Sequence, residues 1–467
     1  MRNFFLLCLS FLTIGLFGQS GMNLTQCIDY ALDNNADIDN AVLDERSEVI
    51  RTLEIAGQGL PQISASLELQ SSPTLQRFFQ EYTPQSFVLS EEDADSRGIQ
   101  QGDVFAAENF FQLQNLGVAN LRVDQLVFSS SYLIALLASK NLKELAVKKR
   151  QQTEVDIIEN VSKAYYNVLI NIEKISLTKA NISRLDSIYR DTEQLYINGF
   201  AEKIDVDRLK VSSNNLKSDL ESLTNVEIIS LALLKFQMGY PPQDDLVLTS
   251  TFDEAVITPL SQGSKNIDLR DRLDYESLLI NRDLQLLNIK NITAQIIPSI
   301  HAFANVGYST QSESFGGLFR TNARFNEQDG IGPDSWYRYS TLGLGLRWNI
   351  FTGLQRHFQI QKEKIELEKL GNGIAQYQNL IITEIGNAEL VLGNALRKVE
   401  VQKSNIGLAN SIYKVVIEKY KEGVGSNLEV IDADTSLKEA QINYYNALYD
   451  ALIAKIDLDK ARGNLNK

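Results

Sequence analysis

The chain has very little cysteine, histidine and proline for its 467 residues. Two cysteines and two histidines are too few for a disulfide framework or for a metal site built from these side chains. Only eight prolines are present, and none lies between Pro84 and Pro241, so long helices can run there without interruption. Beyond the N-terminal segment, no stretch offers about 20 consecutive apolar residues, which excludes a polytopic helical membrane protein.

Positive charge is also scarce. Lysine and arginine number 45 against 59 acidic residues, which gives a net charge of −14 and argues against a nucleic-acid partner. Hydrophobic residues make up 44% of the chain and recur throughout it, so the chain is not disordered. No Ser/His/Asp set, phosphate-binding loop or metal cluster is visible. We therefore expect no enzyme activity, no cofactor and no His/Cys metal site, while a site built from carboxylates alone stays open.

Residues 1–20 have the pattern of a secretory signal peptide. Arg2 provides the positive start, Phe4 to Phe17 form an apolar run, and small residues follow. The alternative is a buried N-terminal helix. Cleavage would remove Cys8 and leave Cys27 as the single cysteine of an exported protein. Cys27 lacks the run of small residues that precedes a lipidated cysteine, so a lipid anchor is not expected.

The rest of the sequence indicates one unit repeated twice. The stretch Tyr196 to Val206 matches Tyr420 to Val430, 224 residues later. The same offset relates Gly239 to Gly463. Because such matches keep their order and spacing, they predict a tandem duplication. The predicted boundaries are a first repeat at 21–240, a linker or equatorial segment at 241–265 and a second repeat at 266–467.

Each repeat is predicted to begin with a helix and to end in a long helical hairpin, at 129–240 and at 354–463. In the first hairpin, the 70 residues from Ser129 to Asn198 contain no glycine or proline and would span about 105 Å as a helix. Their apolar positions alternate in steps of three and four, which is the pattern of a coiled-coil seam. Gly199 and Gly423 then provide the left-handed residues that end the long helices.

Between the first helix and the hairpin of each repeat, the apolar period changes to two. This alternation predicts one strand pair at 61–128 and another at 298–351. Strands of about 10 residues with one apolar face are typical of a transmembrane β-barrel, although a soluble sheet with one buried face has the same pattern. Four strands cannot close a barrel, and an open edge is not tolerated in lipid. A membrane protein of this kind must therefore oligomerise.

Two long loops, 72–115 and 311–337, join the strands of each pair. Long loops on one side and tight connections to helices on the other match the polarity of an outer-membrane barrel. The first loop carries seven acidic residues and two arginines. Neither loop has a pattern that predicts a ligand.

The ensemble of these features resembles the TolC family of outer-membrane efflux proteins. The resemblance rests on the signal peptide, the duplicated unit, the two strand pairs with Phe128 and Phe351 leading into long helices, and the turns at Gly199 and Gly423. The opening segment Leu24 to Asn35 also resembles the first helix of the family. Ala36 stands where family members commonly have proline. The resemblance covers essentially the whole mature chain.

The resemblance implies a membrane protein of mixed α and β structure. As a homotrimer it would form a 12-stranded transmembrane β-barrel that continues into a long periplasmic α-helical barrel. It would sit in the outer membrane, in contact with lipid, and conduct substrates passively as the exit duct of a tripartite efflux or type I secretion system. The implied partners are a periplasmic adaptor protein and an inner-membrane transporter of the RND or ABC class.

The resemblance also indicates an entrance gate. Glu429 and Asp432 are three residues apart on one helical face, shortly after Gly423. In a trimer they would form two carboxylate rings that favour cations. The alternative from the sequence alone is an ordinary solvated helix face. Asp205 and Tyr420 match the family's latch positions. Gly425 stands where the family often has a basic latch residue, which leaves Lys203 or Lys421 as candidates.

The tips of the hairpins are the predicted docking surface for the adaptor, and they contain Gly199, Phe200, Gly423 and Val424. Two other classes of protein remain compatible with the residues. One is a secreted coiled-coil scaffold, which explains the helices but leaves the strand pairs without a role. The other is a general porin with a helical appendage. Dependence on an inner-membrane pump and partition into detergent distinguish these alternatives.

Overall fold

The computed structural model describes residues 21–109, 111–249, 268–319 and 335–465. The predicted signal peptide and residues 250–265 of the predicted linker lie outside these ranges, as does the centre of the loop 311–337. The α-helices are α1 Leu24–Asn34, α2 Ala36–Gly57, α3 Glu91–Ser96, α4 Ser130–Ile197, α5 Lys203–Met238, α6 Leu273–Ala294, α7 Gln355–Lys421 and α8 Asn427–Ala461. The strands are β1 Gln62–Ser71, β2 Phe78–Glu81, β3 Val104–Ala107, β4 Asn115–Phe128, β5 Ser299–Ser312 and β6 Tyr337–Arg347.

The chain forms two compact units that cut across the sequence repeats. Among the described residues, the helical unit lies within Met1–Val49, Asn141–Leu286 and Ile365–Lys467, and the sheet unit lies within Ile50–Lys140 and Leu287–Lys364. Each unit therefore collects equivalent segments from both halves of the chain. In the part of the chain that the structure describes, no helix has the length and the apolarity needed to cross a membrane.

The main sheet of the sheet unit is antiparallel, with strand order β1-β4-β5-β6. Since β4 pairs with β5, the two repeats are joined by hydrogen bonds in the middle of the sheet. The register aligns Ile63, Val123, Ala304 and Leu342 in one row across all four strands. Side chains in one row point to one face, so the sheet has a broad apolar face, on which Leu342 is 84% exposed.

The opposite face of this sheet is polar. Arg122 donates two hydrogen bonds to Asp124, at 2.6 and 2.7 Å, and its guanidinium lies 5.5 Å from the ring centroid of Phe303. That ring covers Gly343, where an added Cβ would come within 2.6 Å of it. Glycine on β6 thus makes room for an aromatic side chain that lies flat across the sheet.

Two details of the sheet unit differ from the sequence pattern. The apolar alternation continues to Ile350, but β6 ends at Arg347. Trp348 lies beyond the strand, where its indole N–H donates to the carbonyl of Ile296 at 2.9 Å. In the loop 72–115, β2 and β3 form a separate hairpin that packs with α3 around Tyr82, Leu89 and Ala94. Periodicity could not reveal such short elements.

The four helices of the hairpins, α4, α5, α7 and α8, end in the same type of C-terminal cap. Gly199, Gly239, Gly423 and Gly463 all have φ between +67° and +79°. In each case the glycine N–H bonds the carbonyl three residues back and the next N–H bonds the carbonyl five residues back, at 2.8 to 3.1 Å. This pair of bonds satisfies the last carbonyls of the helix, and the left-handed backbone favours glycine. Gly199 and Gly423 thus end the long helices as the sequence predicts.

The far ends of α5 and α8 are capped at equivalent positions. The side chain of Asn35 donates to the carbonyl of Gln237 at 2.8 Å, and Arg272 donates to the carbonyl of Ala461 at 3.0 Å. These two carbonyls are 224 residues apart, the offset found in the sequence. The break between α1 and α2 falls at Asn35, whose side chain also accepts from the N–H of Asp37. No proline is needed to produce it.

The seam predicted along α4 is largely buried. Val161, Tyr165, Val168 and Leu185 are at most 1% exposed, whereas Ile172 on the same seam is 37% exposed. Charged side chains tie this helix to α8 beside the seam, through Lys460 to Asp156 at 2.7 Å and Lys163 to Asp457 at 2.6 Å, and Lys163 also pairs with Glu159 within α4 at 2.7 Å. Burial acts to raise the pKa of Glu159, but the bonds from Lys163 and Lys460 outweigh it and lower that pKa.

Cys27 lies in the core where α1 packs against α4 and α5, and its side chain is fully buried. Burial raises the pKa of its thiol to about 12. The thiolate is the form that reacts with alkylating reagents. We therefore expect maleimide to leave Cys27 unlabelled in the folded protein at pH 7 and to label it after denaturation, as measured by mass spectrometry. Rapid labelling of the folded protein would contradict this burial.

Candidate entrance at the helical hairpin tips

The tip of the first hairpin is the connection between α4 and α5. After Gly199 the chain passes through Phe200, whose side chain is 82% exposed, and α5 begins at Lys203. An added Cβ at Gly199 would meet nothing within 4 Å, so the turn itself is open to solvent. Glu202 is the N-cap residue of α5, but its side chain makes no capping hydrogen bond.

The tip of the second hairpin has the same form and a stronger cap. Gly423 is followed by Val424, which is 78% exposed, and α8 begins after Ser426. The hydroxyl of Ser426 accepts from the N–H of Glu429 at 3.2 Å. Glu429 in the first turn is also favoured by the helix dipole. Glu429, a predicted gate residue, therefore also stabilises the start of α8.

The structure places the predicted gate residues in two levels. Asp205 and Glu429 are the third residues of α5 and α8, so each hairpin carries a carboxylate at the same position. Asp432 lies one turn further along α8 and is exposed, like Glu429. Its equivalent in α5, 224 residues earlier, is Arg208. The level of Asp432 therefore carries both a carboxylate and a guanidinium. The sequence predicted only carboxylates at this level.

The predicted latch residues have other partners inside one copy. The hydroxyl of Tyr420 lies 2.7 Å from that of Thr192, which joins α7 to α4. The backbone carbonyl of Asp205 accepts from the side-chain amide of Asn427 at 2.6 Å, which joins α5 to α8. Both contacts hold the two hairpins together at their tips. Local periodicity gave no signal for Thr192 or Asn427.

An ion pair with a buried carboxylate lies behind the tips. Arg184 of α4 donates to Asp434 of α8 at 2.7 and 3.0 Å, and the guanidinium lies 4.8 Å from the ring centroid of Tyr413. Asp434 is only 4% exposed and sits among the apolar residues that join all four helices. Its position on the buried face, beside Val430 and Leu437, is the one signal that sequence reasoning could have used.

The sites described contain no metal-binding arrangement. Among the described residues, no group of three or more histidine, cysteine or acidic side chains could hold a metal ion. The charged groups near the tips are carboxylates, lysines and arginines. Their arrangement can attract or repel ions and can join helices.

Comparison with known proteins identifies similar chains. The family model described as "Outer membrane efflux protein" matches residues 277–464. Outer membrane protein TolC of Escherichia coli K12 is 21% identical over 357 residues, which are 76% of this chain and 70% of that protein. The probable efflux pump outer membrane protein TtgC of Pseudomonas putida is 23% identical over 322 residues, 67% of this chain and 62% of that protein.

A solved structure shares the fold. The CmeC outer membrane channel of Campylobacter jejuni superposes with a TM-score of 0.68 at 15% sequence identity, covering 95% of this chain and 86% of that one. Together with the sequence relatives, this likeness supports the efflux channel over the secreted scaffold and the general porin. The similar proteins are described as outer membrane efflux proteins and outer membrane channels.

Removal of Arg184 should destabilise the hairpin bundle. Arg184→Ala would leave Asp434 buried without its counter-charge, which costs about 3 kcal/mol of the free energy of unfolding. Arg184→Ala combined with Asp434→Ala should recover much of this loss. The measurement is thermal unfolding of the detergent-solubilised protein. Lys398→Ala, which breaks an exposed pair with Asp450, is the control and should cost less than about 1 kcal/mol. Equal losses in the Arg184 and Lys398 variants would refute the role of burial.

Proposed function

We propose that this chain, a member of the TolC family of outer membrane efflux proteins, forms as a homotrimer the exit duct of a tripartite efflux or type I secretion system. The proposal rests on the four-stranded sheet. One face of this sheet is apolar and exposed, and among the described residues the outer edges of β1 and β6 have no partner strand. An open edge cannot persist in lipid. Three copies supply twelve strands, and pairing between copies removes every edge.

The duct needs partners on the periplasmic side. We assign the adaptor-docking surface to the hairpin tips, where Gly199, Phe200, Gly423 and Val424 lie. The support is the exposure of the two apolar side chains at open turns. Aromatic side chains such as Phe200 are enriched at the core of protein interfaces. The adaptor would connect the duct to an inner-membrane transporter of the RND or ABC class.

The entrance gate is assigned to Glu429, Asp432, Asp205 and Tyr420. Glu429 and Asp432 are exposed on α8, and Asp205 lies at the position of α5 equivalent to Glu429. Around a three-fold axis, Asp205 and Glu429 would supply six carboxylates at one level. Rings of acidic side chains attract cations. Tyr420 would hold the hairpins in the closed arrangement through its bond to Thr192.

Bulk at the second tip should abolish efflux without preventing assembly. Gly423→Trp places a large side chain at a left-handed turn that faces solvent, where it would obstruct the adaptor. We expect cells that depend on the pump to become sensitive to its substrates while the level of oligomer stays as in the wild type. Gly98→Trp is the matched control, because Gly98 has φ +67° and open surroundings but lies in the loop 72–115. Normal efflux by Gly423→Trp would show that adaptors dock elsewhere.

Neutralising the gate carboxylates should remove cation selectivity. We expect Glu429→Ala with Asp432→Ala to reduce the preference for cations and to weaken block by a trivalent cation such as La³⁺, because fewer negative charges remain at the constriction. Single-channel conductance in planar bilayers measures both effects. Asp244→Ala with Asp245→Ala removes the same charge from the segment after α5 and should change neither. An unchanged block in the gate variant would discard the assignment.

A further inference from the structure

Three aromatic side chains follow one another along the polar face of the main sheet. His301 and Phe303 belong to β5, and Tyr339 belongs to β6. Each is directly opposite a glycine of the neighbouring strand, in the pairs His301 with Gly345, Phe303 with Gly343 and Tyr339 with Gly307. The positions differ by even numbers of residues along each strand, so all three side chains are on the same face.

Each ring reaches across its glycine instead of standing away from the sheet. An added Cβ at Gly343 would lie 2.6 Å from Cζ of Phe303, and one at Gly307 would lie 2.9 Å from Cζ of Tyr339. Side chains on strands usually stand roughly perpendicular to the sheet. A ring that comes so close to the neighbouring strand must lie along the sheet, and glycine permits this approach. Each ring therefore leaves one side open to the space in front of the sheet.

A planar guanidinium continues the row of rings. Arg122 of β4 is opposite Asn305, between the levels of Phe303 and Gly307. Its guanidinium lies 5.5 Å from the ring centroid of Phe303 and donates two hydrogen bonds to Asp124. From residue 301 to residue 307, β5 rises about 20 Å. We call the set of His301, Phe303, Arg122 and Tyr339 the planar track.

The planar track favours flat molecules rather than ions. The ring centroids of His301 and Phe303 are 6.3 Å apart, and the two planes are inclined by 34°. Aromatic rings and the guanidinium plane both stack with flat aromatic groups. Within the four rows of the sheet that contain the track, the charged residues are Arg122 and Asp124, whose charges cancel. An uncharged planar aromatic molecule therefore matches this surface.

In the proposed trimer, the planar track lines the lumen of the barrel. The apolar face of the sheet turns to lipid, so the polar face turns inward. Copies would join through the outer edges of β1 and β6, which leaves β5 away from the boundary in each copy. Solutes that leave through the duct would pass His301 and Phe303. A site in a duct must bind weakly enough to release its occupant, and stacking meets this condition.

We propose that the planar track is a stacking site for uncharged planar aromatic solutes in the lumen. The inference rests on the proposed trimeric duct and names a class of solute that its barrel binds. Three copies provide three equivalent sites. The alternative is that the rings only cover the glycines and stabilise the strands, since aromatic side chains can support glycine in a sheet. The two roles differ in whether the open side of the rings binds a solute.

Binding of caffeine by the whole protein tests the proposal. Caffeine is uncharged, planar and bicyclic, whereas mannitol is uncharged, of similar mass and has no ring. Saturation-transfer NMR detects the binding of either solute to the protein in phosphatidylcholine nanodiscs, with empty nanodiscs as the background. We expect a saturable signal from caffeine and none from mannitol. If caffeine gives no saturable signal, or if mannitol gives an equal one, the inference is wrong.

Two variants locate the site on the track. Phe303→Leu with His301→Leu keeps apolar side chains over the glycines but removes two stacking rings, so the affinity for caffeine should fall about ten-fold. Tyr339→Leu alone should weaken binding about three-fold. Tyr308→Leu is the matched control, because Tyr308 is on β5 but on the opposite face of the sheet. It should leave the affinity unchanged.

The copy number of each variant, measured by native mass spectrometry, separates this inference from the proposed duct. If the particles contain three copies and the double variant or Tyr339→Leu binds caffeine as the wild type does, the inference is wrong and the duct stands. An equal loss in Tyr308→Leu would place the binding outside the track and would also overturn the inference. A wild-type protein that is a monomer in nanodiscs would refute the duct, and the lumenal site with it.

Discussion

The unpaired backbone edges of the main sheet limit the surroundings in which a single copy of this protein is stable. Within the described residues, β1 and β6 each hydrogen-bond one neighbour and leave the other side open. The same strands expose an apolar face that includes Ile63, Leu67 and Leu342. Water would penalise the apolar face and lipid would penalise the open edges, so neither solvent suits a single copy. Pairing between copies inside a bilayer satisfies both demands.

The helical unit exposes apolar side chains rather than unpaired backbone groups. Its backbone is satisfied within the helices, but Leu233, Phe236 and Leu380 are exposed apolar groups on α5 and α7. The equivalent positions on α4 and α8 carry ion-paired charges. The equivalent positions therefore share the turns and caps that set the backbone and differ in their side chains along the helices. Where one position forms an ion pair between the hairpins, its equivalent is an exposed apolar residue.

The elements that depend on local rules could be predicted from the sequence. The long helices follow from the lack of proline and from the seam of three-and-four spacing, the turns follow from Gly199 and Gly423, and the strands follow from alternation. What could not be predicted depends on partners distant in the chain. Periodicity marks Asp434 as a residue on the buried face but does not name Arg184 as its partner, 250 residues away in the sequence. The same limit applies to the bond between Tyr420 and Thr192.

The copy number of the protein in detergent shows whether pairing between copies closes the sheet. The full chain has a mass of 52.4 kDa, and native mass spectrometry of the membrane-extracted protein counts the copies in one particle. We expect a particle of three copies that persists at dilution, because each copy supplies four of the strands needed to close the sheet. A stable monomer that keeps its folded sheet would contradict it.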